Sequence, residues 1–303
     1  MTRCTPERLA AAERFIWRTA RVLEQRRFEH LHAGGDPEAV RTALQAYRSA
    51  DGGYAYGLEP DARGPVSQPL QVWSALVVLD EIGCCTGAAA REICDHLAGI
   101  TRPDGGVPAG DPRLRDYPHA PWMPAVEEPE GSLLSTALLT GVLLKNRVEH
   151  PWLDRASEFC WTAIDACTET HPYEARAVVA FLDHAPERER AAAAAERFGK
   201  MIRETGYVLL DPDRPEQART APGYAPGEVP GVCDYAPEPD SLARAWFTDE
   251  EISRGLDHLA AQQQEDGGWP ISWLEWAPVT ALEGRPRVTL DALRTLRAYD
   301  LER

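Results

Sequence analysis

The sequence predicts an all-α fold, an α/α toroid of about five to six helical hairpins in two concentric rings, forming a single domain over residues 1–303. Three observations carry this expectation. The tetrad Asp-Gly-Gly-apolar recurs as Asp51-Gly52-Gly53-Tyr54, Asp104-Gly105-Gly106-Val107 and Asp266-Gly267-Gly268-Trp269. Gly52 and Gly105 are 53 residues apart, and Gly105 and Gly267 are 162 apart, three intervals of 54, so two further units with degenerate turns are expected between them. Apolar residues recur at helical spacing over most of the intervals, whereas alternating strand patterns are scarce.

Helical periodicity covers 6–31, 37–50, 67–82, 88–100, 132–146, 151–167, 172–184, 187–204, 249–264 and 288–299. These stretches are of two kinds. The segment 187–204 has a wide charged face suited to an outer, water-facing ring, while 67–82 and 132–146 are apolar on nearly every side, as helices of an inner ring must be. The Gly-Gly turn joins them for a local reason: ending a helix and reversing tightly needs positive φ, which glycine adopts without strain, and the aspartate side chain accepts stray amides. The aromatic residue that follows packs over the turn. Each turn leads into a polar loop (54–66, 107–131 and 269–287), and these loops are expected to open at one end as a mouth.

The bulk composition excludes several functions. With 44% hydrophobic and 26% charged residues the chain is globular with a sizeable core. A formal net charge of -16, with arginines scattered rather than striped, opposes binding to a phosphate backbone, so no nucleic-acid partner is expected. Arg3, Glu7, Arg8, Glu13 and Arg14 interrupt the first 25 residues, which do not read as a signal peptide, and a cytoplasmic location is expected. The most apolar stretch, 132–144, is interrupted by Ser135, Thr136 and Thr140 and is too short for a membrane span. Seven cysteines without paired C-x-x-C spacing read as reduced core thiols. Cys160 and Cys167 share a helical face but have no histidine at ligand spacing, so no metal and no other cofactor are expected.

The stretch Gln262-Gln263-Gln264-Glu265-Asp266-Gly267-Gly268-Trp269 is similar to the QW-type repeat of the terpenoid cyclase and protein prenyltransferase toroids. The segments DGGYAYGLEPD (51–61) and QQQEDGGWPISW (262–273) also resemble a widespread bacterial family of prenyltransferase-like proteins. The resemblance covers most of the chain and implies the toroid fold, but that architecture hosts cyclases, transferases, glycan lyases and binding proteins alike. The departures are informative: the Asp-x-Asp-Asp acid motif of a class II cyclase is absent, and Cys233, Asp234 and His258 stand in the wrong order for a zinc prenyltransferase.

Chemistry-bearing residues concentrate in the expected loops. Glu59-Pro60-Asp61, followed by Arg63, is echoed by Glu238-Pro239-Asp240 with Arg244 beyond it. The proline holds the backbone extended, so the two acids of each pair point apart and one of each is free to face a cavity. Glu59, Asp61, Glu238 and Asp240 are therefore the candidate catalytic acids, Glu59 foremost, because a carboxylate walled by Tyr54, Tyr56, Trp73 and Trp269 loses hydration and suits proton transfer near neutral pH. The competing structural reading makes Asp61 and Asp240 helix caps and pairs Glu59 and Glu238 with Arg63 and Arg244. Candidate substrate-binding residues are Tyr54, Tyr56, Arg63, Trp73, His119, Trp122, Tyr173, Glu174, Trp269, Trp273, Trp276 and Arg285, the loop tryptophans because exposed indoles need an apolar partner. Helix N-termini together with Arg63, Arg285 and Arg287 favour a phosphate, diphosphate or sulfate ester on a small molecule.

The leading expectation is a small-molecule enzyme of secondary metabolism that uses acid/base-assisted cyclisation, elimination or rearrangement, including ring closure with loss of an anionic leaving group. Carbohydrate processing by a glycoside hydrolase or lyase, and non-catalytic ligand binding or scaffolding, are the alternatives left open. A partner subunit completing the pocket is compatible with either.

Overall fold

The computed structural model describes residues 2–301, and among these every regular element is helical: twelve α-helices and three short 3-10 helices, with four isolated β-bridges and no strand. Amphipathic helices alternate with more deeply buried ones. The amphipathic set comprises α1 (Pro6–Thr19), α3 (Pro37–Gln45), α5 (Gly87–Ile100), α7 (Pro151–Ala166), α9 (Arg188–Thr205) and α11 (Asp249–Ala261). In α5 the buried residues Ala90, Ile93, Cys94 and Leu97 follow the i, i+3, i+4, i+7 stripe of a helix wet on its other face. Between them come α2 (Val22–Ala33), α4 (Pro69–Glu81), α6 (Leu133–Lys145), α8 (Pro172–Leu182), α10 (Val232–Tyr235) and α12 (Val279–Leu301). Most of α4 and α6 is buried, including their polar residues Gln71, Ser74, Ser135, Thr136 and Thr140.

The chain divides into two compact units, one of residues 1–28, 169–179 and 189–303, the other of residues 29–168 and 180–188. In the second, α6 packs against α4 and α7, α5 against α7 and α3 against α4. Gly141 allows a close backbone approach there, since a Cβ at this position would lie 2.4 Å from the Ala180 carbonyl oxygen. In the first, α12 packs against α1 and α11, and α10 against α11.

The three Asp-Gly-Gly turns are copies of one hydrogen-bonded structure. The second glycine donates its N–H to the aspartate Oδ1: Gly53 to Asp51 at 3.0 Å, Gly106 to Asp104 at 2.9 Å and Gly268 to Asp266 at 3.0 Å. Its carbonyl accepts from the backbone N–H of Ser49, Arg102 and Gln264 respectively, each at 2.9 Å. The first glycine has φ of 86°, 99° and 98° in the three turns, in the left-handed region. Each turn docks on an amphipathic helix, the first near His96 of α5, the second on Phe159 of α7 and the third on Phe15 of α1. The last repeat is thus received by the first helix of the chain. The residue after the glycines is held by the next buried helix: Val107 N–H donates to Thr136 Oγ1 at 2.9 Å, and Trp269 N–H to Thr289 Oγ1 at 3.0 Å.

Two further helix pairs, α7–α8 and α9–α10, lie between the second and third turns. The first pair is joined at residues 167–171 and the second by a segment that begins at Gly206 (φ 73°), and neither connection carries the Asp-Gly-Gly sequence. Several helix limits differ from the sequence expectation: the 37–50 stretch is helical only to Gln45 and the 249–264 stretch only to Ala261. The 6–31 stretch is two helices, because Ala20 is extended (φ -82°, ψ 153°) where neither proline nor glycine marks a break. Conversely α12 begins at Val279 and continues through Pro286, although proline removes an i→i−4 bond. Thr280, Gly284 and Pro286 are all buried within this segment.

Candidate functional site

The Glu59–Asp61 loop belongs to the second unit and rests on α4. Before Asp80 and Glu81 at its end, that helix is apolar except for a short polar stripe, Gln71 and Ser74, spaced i, i+3 and therefore on one face. Gln71 Oε1 accepts the Leu58 N–H at 2.9 Å, and Ser74 Oγ donates to Glu59 Oε2 at 3.2 Å. Glu59 is 4% and Asp61 8% exposed. Leaving a buried carboxylate unmatched is costly, so these donors fix where each one sits.

The same loop is stitched to the Pro-rich loop 117–124. Ala120 N–H donates to the Asp61 carbonyl at 2.8 Å, Arg63 N–H to the Pro118 carbonyl at 3.0 Å, and Trp122 Nε1–H to Asp61 Oδ2 at 2.9 Å. Ala62 and His119 form an antiparallel bridge, and His119 Nδ1 lies 2.7 Å from the Tyr117 carbonyl oxygen. Ser74 is thus a donor to Glu59, and Trp122 a donor to Asp61. Trp122 and Tyr56 remain exposed, Trp73 is half-buried, and Tyr54 is buried, which pushes its phenol pKa up. Tyr56 stands at φ 62°, an uncommon conformation for a residue with a side chain, directly before Gly57 at φ 76°. A Cβ at Gly57 would meet the Arg63 guanidinium at 2.6 Å, so glycine there lets Arg63 fold over the loop. Asp61 does not cap α4: the capping position is Gln68.

The remaining expected site residues lie in the first unit. Tyr173 donates its hydroxyl to Glu228 Oε1 at 3.1 Å, and Glu174 accepts from Thr170 Oγ1 at 3.1 Å. Glu238 is half-buried and Asp240 exposed; Ser241 rather than Asp240 caps the short helix Leu242–Trp246, and Arg244 pairs with Asp249 instead of Glu238. Trp269 is 1% exposed and donates its indole N–H to the Leu259 carbonyl at 2.7 Å. Arg285 forks onto Asp266 with two bonds of 2.8 Å and lies 4.7 Å from the centre of the Phe15 ring, so it braces the third turn. The Arg285 hydrogen bonds hold the Asp266 carboxyl below the usual range. Trp273 is half-buried against Gly284, with Arg287 6.0 Å from its ring centre, and Trp276 is half-buried as well.

Gln71 and Ser74 were not singled out by the sequence, although two polar residues three apart in an otherwise apolar helix are a signal that something polar faces them. Glu228, Arg176 and Tyr224, which gather around Tyr173, left no comparable local trace. Among the described residues no group of three or more His, Cys, Asp or Glu is arranged to hold a metal ion, and no helix is long and apolar enough to cross a membrane.

No protein-family model and no curated protein matches the sequence. Solved structures do match in fold. A protein from Actinoplanes aligns over 96% of this chain and 88% of its own, with 18% identity and a TM-score of 0.54. The type II terpene cyclase MstE from Scytonema, in its apo form, aligns over 97% of this chain and 88% of its own, with 12% identity and a TM-score of 0.51. At such identities the likeness concerns architecture alone. The chain has the all-α toroid fold of the terpene cyclase.

Proposed function

We propose that this chain is a small-molecule enzyme of cyclase or lyase type, in which Glu59 moves a proton and Asp61 balances charge. The observation that carries the reading is the Glu59–Asp61 loop itself: two carboxylates shielded from bulk water, one accepting from Ser74 and the other from Trp122, beside exposed aromatic rings. Glu59 is preferred to Glu238 because it is buried and positioned by Ser74, whereas Glu238 is half-buried. Aromatic side chains around such a pair favour positive charge developing in a reacting chain or ring. The substrate is a small molecule bearing a phosphate, diphosphate or sulfate ester, and the reaction closes a ring or eliminates as that group departs, in a biosynthetic pathway of the cytoplasm. The likeness in fold to a type II terpene cyclase supports the cyclase reading.

The test is a panel of hydroxylated or unsaturated phosphate, diphosphate and sulfate esters, with release of the inorganic anion and the mass of the organic product as readouts. Native protein should consume one class of ester. Glu59→Gln should melt as the native protein does and slow the reaction about 100-fold, the usual scale for a lost general acid or base. An undiminished rate in Glu59→Gln overturns the assignment.

A further inference from the structure

A second polar cluster, built around the start of α8, lies wholly in the first compact unit. Tyr173 donates its backbone N–H to the Tyr224 hydroxyl at 3.0 Å, and the two rings lie 5.1 Å apart. The Tyr224 hydroxyl is also 3.3 Å from His171 Nδ1. Glu228, 8% exposed, accepts from the Tyr173 hydroxyl and from the Ala225 N–H at 3.0 Å. Burial pushes both phenols well up, so Tyr173 and Tyr224 stay neutral hydroxyl donors at any working pH.

Arg176 is held in this cluster by a loose ion pair only. It sits one turn along α8 with its guanidinium 5.5 Å from the centre of the Tyr173 ring. The nearest carboxylate oxygen, Asp234 Oδ1, is 3.7 Å from its Nη2, beyond hydrogen-bond length, and the other Asp234 oxygen is taken by the Gly231 N–H at 2.8 Å. Of the Arg176 side chain, 37% is open to solvent. A planar fork of donors, stacked on an aromatic ring and not hydrogen-bonded to any acceptor among the described residues, is preorganised for a group that offers two oxygens at once.

We infer that Arg176 and the Tyr224 hydroxyl form a binding subsite for the tetrahedral oxyanion of a sulfate or phosphate ester. Asp234 keeps the guanidinium aligned without occupying its donors. With Asp234 and Glu228 both close by, charge alone does not attract the anion. Binding depends on the paired N–H bonds, and monovalent chloride does not replace them. The inference shares with the proposed activity only the anionic class of substrate.

The experiment is calorimetric titration of the full chain with inorganic sulfate and, separately, inorganic phosphate, against chloride at matched ionic strength. Native protein should show one saturable oxyanion site and none for chloride. Arg176→Gln should abolish it, and Arg176→Lys, which keeps the charge and loses the fork, should weaken it about tenfold. Circular dichroism checks the fold of both variants. Glu59→Gln should bind like the native protein, so failure of the catalytic reading leaves this one standing. Equal oxyanion binding in Arg176→Gln, or native binding of sulfate and phosphate no different from chloride, overturns the inference.

Discussion

Replacing the first glycine of a turn with alanine separates two costs that are otherwise mixed. Gly105 and Gly267 have φ of 99° and 98°, so an alanine at either position meets the same backbone strain, about 1–3 kcal/mol. Their surroundings differ. A Cβ at 105 lies no closer than 3.4 Å to anything, ordinary contact with α7, whereas a Cβ at 267 would lie 2.1 Å from the Ala11 carbonyl oxygen and 2.5 Å from the Ala11 carbonyl carbon. These are backbone atoms of α1 and cannot swing aside, so α1 must shift, adding an overpacking cost of about 1–3 kcal/mol. At roughly 2 °C per kcal/mol for a chain of this size, Gly105→Ala should lower the melting temperature by about 2–6 °C, and Gly267→Ala by a further 2–6 °C. Thermal melts and urea midpoints measure the difference, and amide exchange read peptide by peptide should show α1 loosening only in Gly267→Ala. Equal losses in the two variants, or exchange in α1 unchanged, would refute the claim that the last turn is docked on the first helix.

Thr289→Val leaves the Trp269 N–H without its buried acceptor and should cost about 1–3 kcal/mol in urea denaturation, with Thr136→Val costing a similar amount at Val107; a loss under about 0.5 kcal/mol in both would show that these threonines are packing residues only. Asp266, whose carboxyl Arg285 holds below its ordinary value, adds stability that is complete above the unfolded value near 3.9 and is lost as pH falls through the lower folded value. Asp266→Asn should therefore flatten the fall in urea midpoint below about pH 4. The group is half-exposed, so salt should shrink the effect, and an unchanged acid slope in the variant would contradict it. The Glu59→Gln and Arg176 variants described above complete the set.

Local rules wrote much of this protein openly in its sequence. Positive φ needs glycine at the position itself and the aspartate acceptor lies two residues away, so all three turns could be read without knowing what they pack against. The same holds for helix starts such as α1, α3 and α11, where Thr5, Asp36 and Thr248 accept from amides two or three residues ahead. What joins residues far apart in the chain was decided by tertiary packing. Trp122 reaches Asp61 across 61 residues, and Glu228 reaches Tyr173 across 55, with no periodicity to announce either. Arg285 looked like a cation at a mouth but is committed to Asp266, because only folding brings α12 back over its own turn. Composition made the acids of the Glu59 loop conspicuous; their burial on the Gln71–Ser74 face of α4 depended on which face of an almost uniformly apolar helix the loop came to lie against.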